Sequence, residues 1–166
     1  MKIIGILEMT NSDFIGVWKL SSWKTESSDG KIIYPYGKNP IGYLTYTQDG
    51  YVSVNIMKNN CLPLEISSEE LVKTRKILLN PWLLFRNGRK SIKAIIRYFQ
   101  ASINYISYSG KYEIRGDKVI HHVEVSLIPD WIGTDLERTF EITSHKLLLT
   151  TPSLDGAPQS LEWKRI

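Results

Sequence analysis

Cysteine is almost missing from this chain. Cys61 stands alone among 166 residues, so no internal disulfide can form and no thiolate cluster can hold a metal. Such usage fits a reducing compartment and points to a cytoplasmic location. Long apolar runs are missing too, and none reaches the roughly 18 residues that a membrane-spanning helix requires. The opening MKIIGILEMT has one lysine, meets Glu8 early and lacks a small-residue cleavage site, so it does not read as a secretory leader. Histidine is scarce, at three. Adjacent His121 and His122 point to opposite faces of a strand and cannot chelate one ion. His122 and Glu124 share a face but find no third ligand, His145 lying in a turn, so no metal and no cofactor are expected. Internal repeats and low-complexity segments are also lacking.

What remains is ordinary in bulk and uneven in detail. Hydrophobic residues make up 42% and charged residues 23%, as in soluble globular chains, and the length fits one domain spanning residues 1–166. The net charge of +4 is concentrated in one stretch. Residues 58–104 hold nine basic side chains against Glu65, Glu69 and Glu70, giving +6 there and −2 elsewhere. No recognition motif accompanies these cations, which excludes a nucleic-acid partner. Nothing in the sequence specifies an oligomeric state.

On either side of that stretch the chain reads as β-structure. Asp13-Phe14-Ile15 makes a short turn or single helical turn into a strand running from Gly16 to about Glu26. Ser28-Asp29-Gly30 and Gln48-Asp49-Gly50 are hairpin turns by their chemistry, and the runs around them are rich in aromatic and β-branched residues. Strands resume at about Tyr105, turn at Gly116-Asp117, and close the chain at Leu161–Arg165. Within the insertion, Ser67 and Glu70 have capping-box spacing for a first helix to about Leu79, stopped by Asn80-Pro81. Ile92, Ile95, Ile96 and Phe99 give a second helix one apolar face from Ser91 to about Ile103. The architecture expected is mainly β: a closed antiparallel up-and-down barrel of eight to ten strands, since closure removes sticky edges. A helical insertion at about 58–104 is expected to cover one end.

The most unusual chemistry lies between Lys118 and Thr139. Alternation places Val119, His121, Val123, Val125 and Leu127 on one face, and Ile120, His122, Glu124 and Ser126 on the other. Pro129-Asp130 breaks the ladder, and a returning strand from Asp135 carries Leu136, Arg138, Phe140 and Ile142 on one face. Matching apolar with apolar puts His121 and Arg138 on the inner wall and His122 and Glu124 outside; a bulge at Pro129 would reverse this.

Gly16-x-Trp18, Tyr34-Pro35-Tyr36-Gly37, Gly42-Tyr43-Leu44-x-Tyr46, Tyr108-Ser109-Gly110-x-Tyr112-Glu113 and above all the run from Val119 to Gly133 resemble the lipocalin-like domain family of small bacterial and fungal proteins. The resemblance covers roughly residues 13–57 and 105–165. It implies a calycin-type barrel with an internal cavity, and in some members a place beside secondary metabolism. It also implies that Trp18 closes the narrow end under a cation from the last strand, for which Arg165 is the choice over Lys164. That contact is structural and worth roughly 0.5–2 kcal/mol.

Ligand contacts are expected from Arg138, His121, Tyr46, Tyr108, Tyr112 and Trp131, with His122 and Glu124 as a second-choice polar pair. His121 is the candidate catalytic acid/base, because imidazole titrates near neutrality. Arg138 offers a fork of donors for a carboxylate, phosphate or enolate. The plainer alternative is a histidine satisfied by a neighbouring tyrosine and an arginine at the barrel mouth in solvent. The function expected is binding of a small, largely apolar molecule with an acidic or carbonyl group. The alternatives are a cofactor-independent cyclase, isomerase or hydro-lyase in the same cavity, or contact with an anionic membrane or partner through residues 82–97, where Trp82-Leu83-Leu84-Phe85 is flanked by arginines.

Overall fold

A computed structural model describes residues 11–78, 88–152 and 157–166. The chain divides into two units, one built from Met1–Asn59 with Ile106–Ile166, the other from Asn60–Tyr105.

The first unit begins with a single helical turn, α1 (Asn11–Phe14), which delivers the chain into β1 (Gly16–Glu26). Then follow β2 (Ile32–Ile33), β3 (Ile41–Tyr46) and β4 (Tyr51–Met57). After the insertion come β5 (Tyr105–Arg115), β6 (Lys118–Ser126), β7 (Asp135–Ile142), β8 (Lys146–Thr151) and β9 (Gln159–Arg165). The sheet runs β2-β1-β3-β4-β5-β6-β7-β8-β9, and β9 returns to pair with β1. Eight strands therefore form the closed ring, with the short β2 attached to the far end of β1. Closure pairs every strand of the ring on both sides, which leaves no long exposed edge. At the β3–β4 turn Gly50 has φ 83°, a conformation open to glycine at no steric cost; the Gly50 N–H donates to the Thr47 carbonyl.

Inward side chains fill one end of the lumen. Phe14, Trp18, Tyr46 and Leu147 are fully buried there, or nearly so. Phe14 meets Tyr46 and Phe140 edge-on, with ring centroids 5.2 and 4.8 Å apart. The Trp18 indole N–H donates to the Phe14 carbonyl at 2.9 Å, tying α1 over the plug. Trp18 stands opposite Arg165 in register, and the guanidinium lies 4.1 Å from its ring centroid. The same guanidinium donates to the carbonyls of Ser144, Ile15 and Asp13.

The β5–β6 ladder contains an irregularity that alternation did not foresee. Ser109 pairs with Val125 but Gly110 pairs with Val123, so Glu124 is skipped. Val119, His121 and Val123 point inward and are buried, whereas Val125 and Leu127 are exposed at 67% and 42%. The expectation that all five share the inner face is thus corrected. The reversal comes from a bulge opposite Gly110 and not from Pro129, which opens a 3₁₀ turn, Pro129–Trp131.

In the second unit α2 (Ser68–Leu78) starts with the capping box read from the sequence. The Ser67 N–H donates to Glu70 Oε2 at 3.0 Å, and the Glu70 N–H to Ser67 Oγ at 3.2 Å. Helix α3 (Gly88–Ile103) begins three residues earlier than expected. Arg97 anchors it, donating to the Pro63 carbonyl and pairing with Glu65. Its apolar residues Ile92, Ile96 and Phe99 are exposed. Of the stretch expected to touch a membrane, residues 82–87 lie outside the described residues. Among the described residues no helix is long and apolar enough to cross a membrane.

Candidate functional site

Beyond the aromatic plug the lumen is hollow. A cavity of about 430 Å³ opens there, walled mainly by Trp23, Leu44, Val54, Ile106, Leu161 and Trp163. Small-molecule sites span about 300–1,000 Å³ and combine apolar walls with a few placed polar groups. Those groups are few here: Tyr36, Tyr108, Arg138, Thr151 and Gln159, with Asp135 and Glu137 on the same strand as Arg138. The Gln159 side-chain oxygen Oε1 is taken by the Trp23 indole N–H at 2.8 Å. By contrast, the Thr151 hydroxyl and the Trp163 indole N–H are buried without a hydrogen-bond partner among the described residues. An orphaned buried donor costs stability, so each stands as unused capacity on a cavity-lining residue.

Between plug and cavity lies His121, which is completely buried. Pairing opposite Leu136 turns it inward, and Val119 opposite Arg138 does the same for the arginine. Tyr46 reaches His121 from β3 and Tyr108 from β5. The Tyr46 hydroxyl is 2.8 Å from Nε2, and the Tyr108 hydroxyl is 2.8 Å from Nδ1. Arg138 lines the same cavity as Tyr108, its charge acts on the Tyr108 hydroxyl, and it donates through Nη1 to the Glu137 carbonyl.

Burial sets the protonation states. It holds His121 well below its ordinary 6.5, and the charges of Arg138 and then His122 push the same way. Burial also raises Tyr46 well above the usual phenol value and raises Tyr108, although Arg138 partly offsets this at Tyr108. All three groups are therefore neutral near pH 7. The depressed histidine has a consequence for stability: the unfolded chain binds the proton more readily, so this contribution is complete above about pH 6.5 and is lost as pH falls below it, by up to about 1.4 kcal/mol per unit. Thermal melts at pH 7.5, 6.5 and 5.5 should show wild type losing more stability towards acid than His121→Gln. Parallel pH profiles would contradict that.

Of the residues singled out from sequence, Arg138, Tyr108 and Trp131 line the cavity. The Trp131 ring stands edge-on to Tyr108 at 5.9 Å. Three others do not reach it. His121 lies behind the wall with both ring nitrogens engaged, which corrects the expectation that it meets a ligand directly. Tyr46 belongs to the plug, and Tyr112 packs against it at 4.7 Å while donating to the Thr47 carbonyl. The polar pair His122 and Glu124 does not form. His122 faces outward and takes Asp135 at 2.6 Å and Glu113 at 3.2 Å, its cross-strand neighbours, while the bulge leaves Glu124 exposed. Sequence reasoning missed Trp23, Trp163 and Thr151; the alternation of Leu147, Leu149 and Thr151 on β8, with Leu161 and Trp163 on β9, was the signal for two of them.

Among the described residues no group of three or more His, Cys, Asp or Glu side chains is arranged to hold a metal.

None of the curated proteins compared matches the chain. Among solved structures, a lipocalin-like protein from Bacteroides uniformis is 10% identical, covering 93% of this chain and 99% of its own, at a TM-score of 0.44. A de novo designed fluorescence-activating β-barrel is 16% identical over 95% of this chain and 100% of its own, TM-score 0.40. The wild-type fluorescent protein UnaG is 12% identical over 95% and 100%, TM-score 0.39. The family of lipocalin-like domains matches residues 15–79 and 90–166, over most of the sequence and through much of the insertion as well, and the chain belongs to that family.

Proposed function

We propose that this barrel binds a small, largely apolar molecule in its cavity and holds the molecule's acidic or carbonyl group at Arg138. The observation that carries this is the state of Arg138. It is half-buried on a largely apolar wall, and among the described residues no carboxylate lies within ion-pair distance of it. The two acids that line the cavity with it are already engaged, Asp135 with His122 and Glu137 with Lys118. A partly desolvated cation without a counter-charge is costly, and an anionic ligand would relieve that cost.

Binding is preferred to catalysis for a physical reason. A cyclase, isomerase or hydro-lyase needs an acid/base group touching substrate, and the one imidazole here is sealed between two phenols.

Trp23, Trp131 and Trp163 line the cavity, so tryptophan fluorescence reports occupancy. Titration with dodecanoate and with dodecanol separates head group from chain. Arg138→Ala should weaken dodecanoate about 10–100-fold, the value of a charge-assisted hydrogen bond, and change dodecanol by less than about threefold. Equal losses for both probes, or no saturable signal with either, would reject the reading.

A further inference from the structure

Two phenols and one neutral imidazole bring three hydrogens to only two links, Tyr46 to Nε2 and Tyr108 to Nδ1. One hydroxyl hydrogen is therefore always left over, and the tautomer of His121 decides which. With the proton on Nε2, His121 donates to Tyr46, and the Tyr46 hydrogen must find another acceptor. Tyr46 is 1% exposed, stands among Phe14 and Tyr112, and has no other hydrogen-bond partner among the described residues. That arrangement strands a buried donor, which folded proteins avoid. With the proton on Nδ1, Tyr46 donates to Nε2, His121 donates to Tyr108, and the spare hydrogen belongs to Tyr108. Tyr108 alone of the two tyrosines lines the cavity, so its hydrogen has somewhere to go.

From this count we propose that the cavity floor is a one-way hydrogen-bond relay, Tyr46 to His121 to Tyr108 to ligand, whose open end presents the Tyr108 hydrogen on the same cavity as the Arg138 guanidinium. It selects an oxyanion with two adjacent oxygens, such as a carboxylate. The ligand half of this proposal rests on the cavity being the ligand site.

The selectivity follows from how the Tyr108 oxygen is occupied. In the Nδ1–H tautomer it accepts from His121, so the hydroxyl keeps its own hydrogen free to donate to an incoming group. Arg138 has donors alone. One carboxylate oxygen takes the Tyr108 hydrogen and the other the guanidinium. An ammonium head meets the like charge of Arg138, and the carboxylates that also line the cavity, Asp135 and Glu137, are already engaged by His122 and Lys118. In this scheme His121 is a positioning residue: it never touches ligand, but its Nδ1–H forces the Tyr108 hydrogen to face the cavity.

The tautomer is directly observable in protein that has seen no ligand. Long-range ¹H–¹⁵N spectra separate the two ring nitrogens, because the Hδ2 proton couples to Nε2. The His121 signals are assigned from their loss in His121→Asn. A pyrrole-like Nδ1 and a pyridine-like Nε2 are expected; the reverse pattern overturns the relay even if dodecanoate binds. Titration of the same sample completes the test. Dodecanoate should bind at least tenfold more tightly than dodecylamine, and Tyr108→Phe should cut the dodecanoate affinity about tenfold while leaving dodecanol nearly unchanged. His121→Asn, which keeps a donor near the Nδ1 position, should retain more of that affinity than His121→Leu. An Nδ1–H tautomer with no saturable dodecanoate binding leaves the relay standing and overturns the cavity reading beneath the ligand class.

Discussion

Gly110→Ala is expected to cost more than about 4 kcal/mol, enough to prevent recovery of stably folded protein or to lower Tm by at least about 8 °C. A Cβ built at Gly110 falls 1.8 Å from the His122 carbonyl oxygen and 2.9 Å from the Glu124 backbone nitrogen. Both are backbone atoms of the facing strand, so no side-chain rotation relieves the overlap. The bulge that skips Glu124 brings the two strands together at this point, and only a residue without Cβ fits. The damage would also reach the site, because Tyr108 and His121 sit on the two strands that must part. Ser109→Ala, one position away, removes only a hydroxyl contact to Ser53 at 3.1 Å and should cost about 1 kcal/mol. Urea unfolding of the two variants against wild type checks the contrast. Similar midpoints would mean that the close approach is absent.

The second large effect is Trp18→Ala, expected to destabilise by about 3–5 kcal/mol, as for other fully buried aromatics. Trp18 is completely buried, its N–H holds α1 through the Phe14 carbonyl, and its ring carries the Arg165 guanidinium. A double-mutant cycle with Arg165→Ala isolates the last of these, with an expected coupling of about 0.5–2 kcal/mol. The rest of the Arg165 loss is the stranding of the Ser144, Ile15 and Asp13 carbonyls. Strict additivity of the two single variants would show that the ring and the guanidinium do not interact.

Local chemistry was the part of this molecule legible in its sequence. The Ser67–Glu70 capping box, the Gly50 turn and the return of β-pattern at Tyr105 each depend on residues close in the chain. The inward turn of His121 and Arg138 followed from matching apolar faces across one hairpin. What could not be read depends on neighbours distant in sequence. Val125 and Leu127 turn outward because of where Gly110 lies on another strand. Tyr46, Tyr108 and Tyr112 look alike in sequence, yet strand tilt and stagger set their depth along the lumen, leaving only Tyr108 on the cavity. The plainer alternative for His121, satisfaction by a neighbouring tyrosine, describes its surroundings better than a free acid/base does, except that two tyrosines serve it. His122 likewise found partners across strands, in Glu113 and Asp135, where reading along one strand offered only Glu124.

The position of a bound acid inside the barrel decides the central claim most directly. Crystals grown with 12-bromododecanoate locate the chain end by the anomalous signal of bromine and the head by its density. The account predicts bromine within the lumen and the carboxylate between the Tyr108 hydroxyl and Arg138. A lumen without ligand, or a carboxylate lying in solvent while Arg138 stays uncontacted, would contradict it.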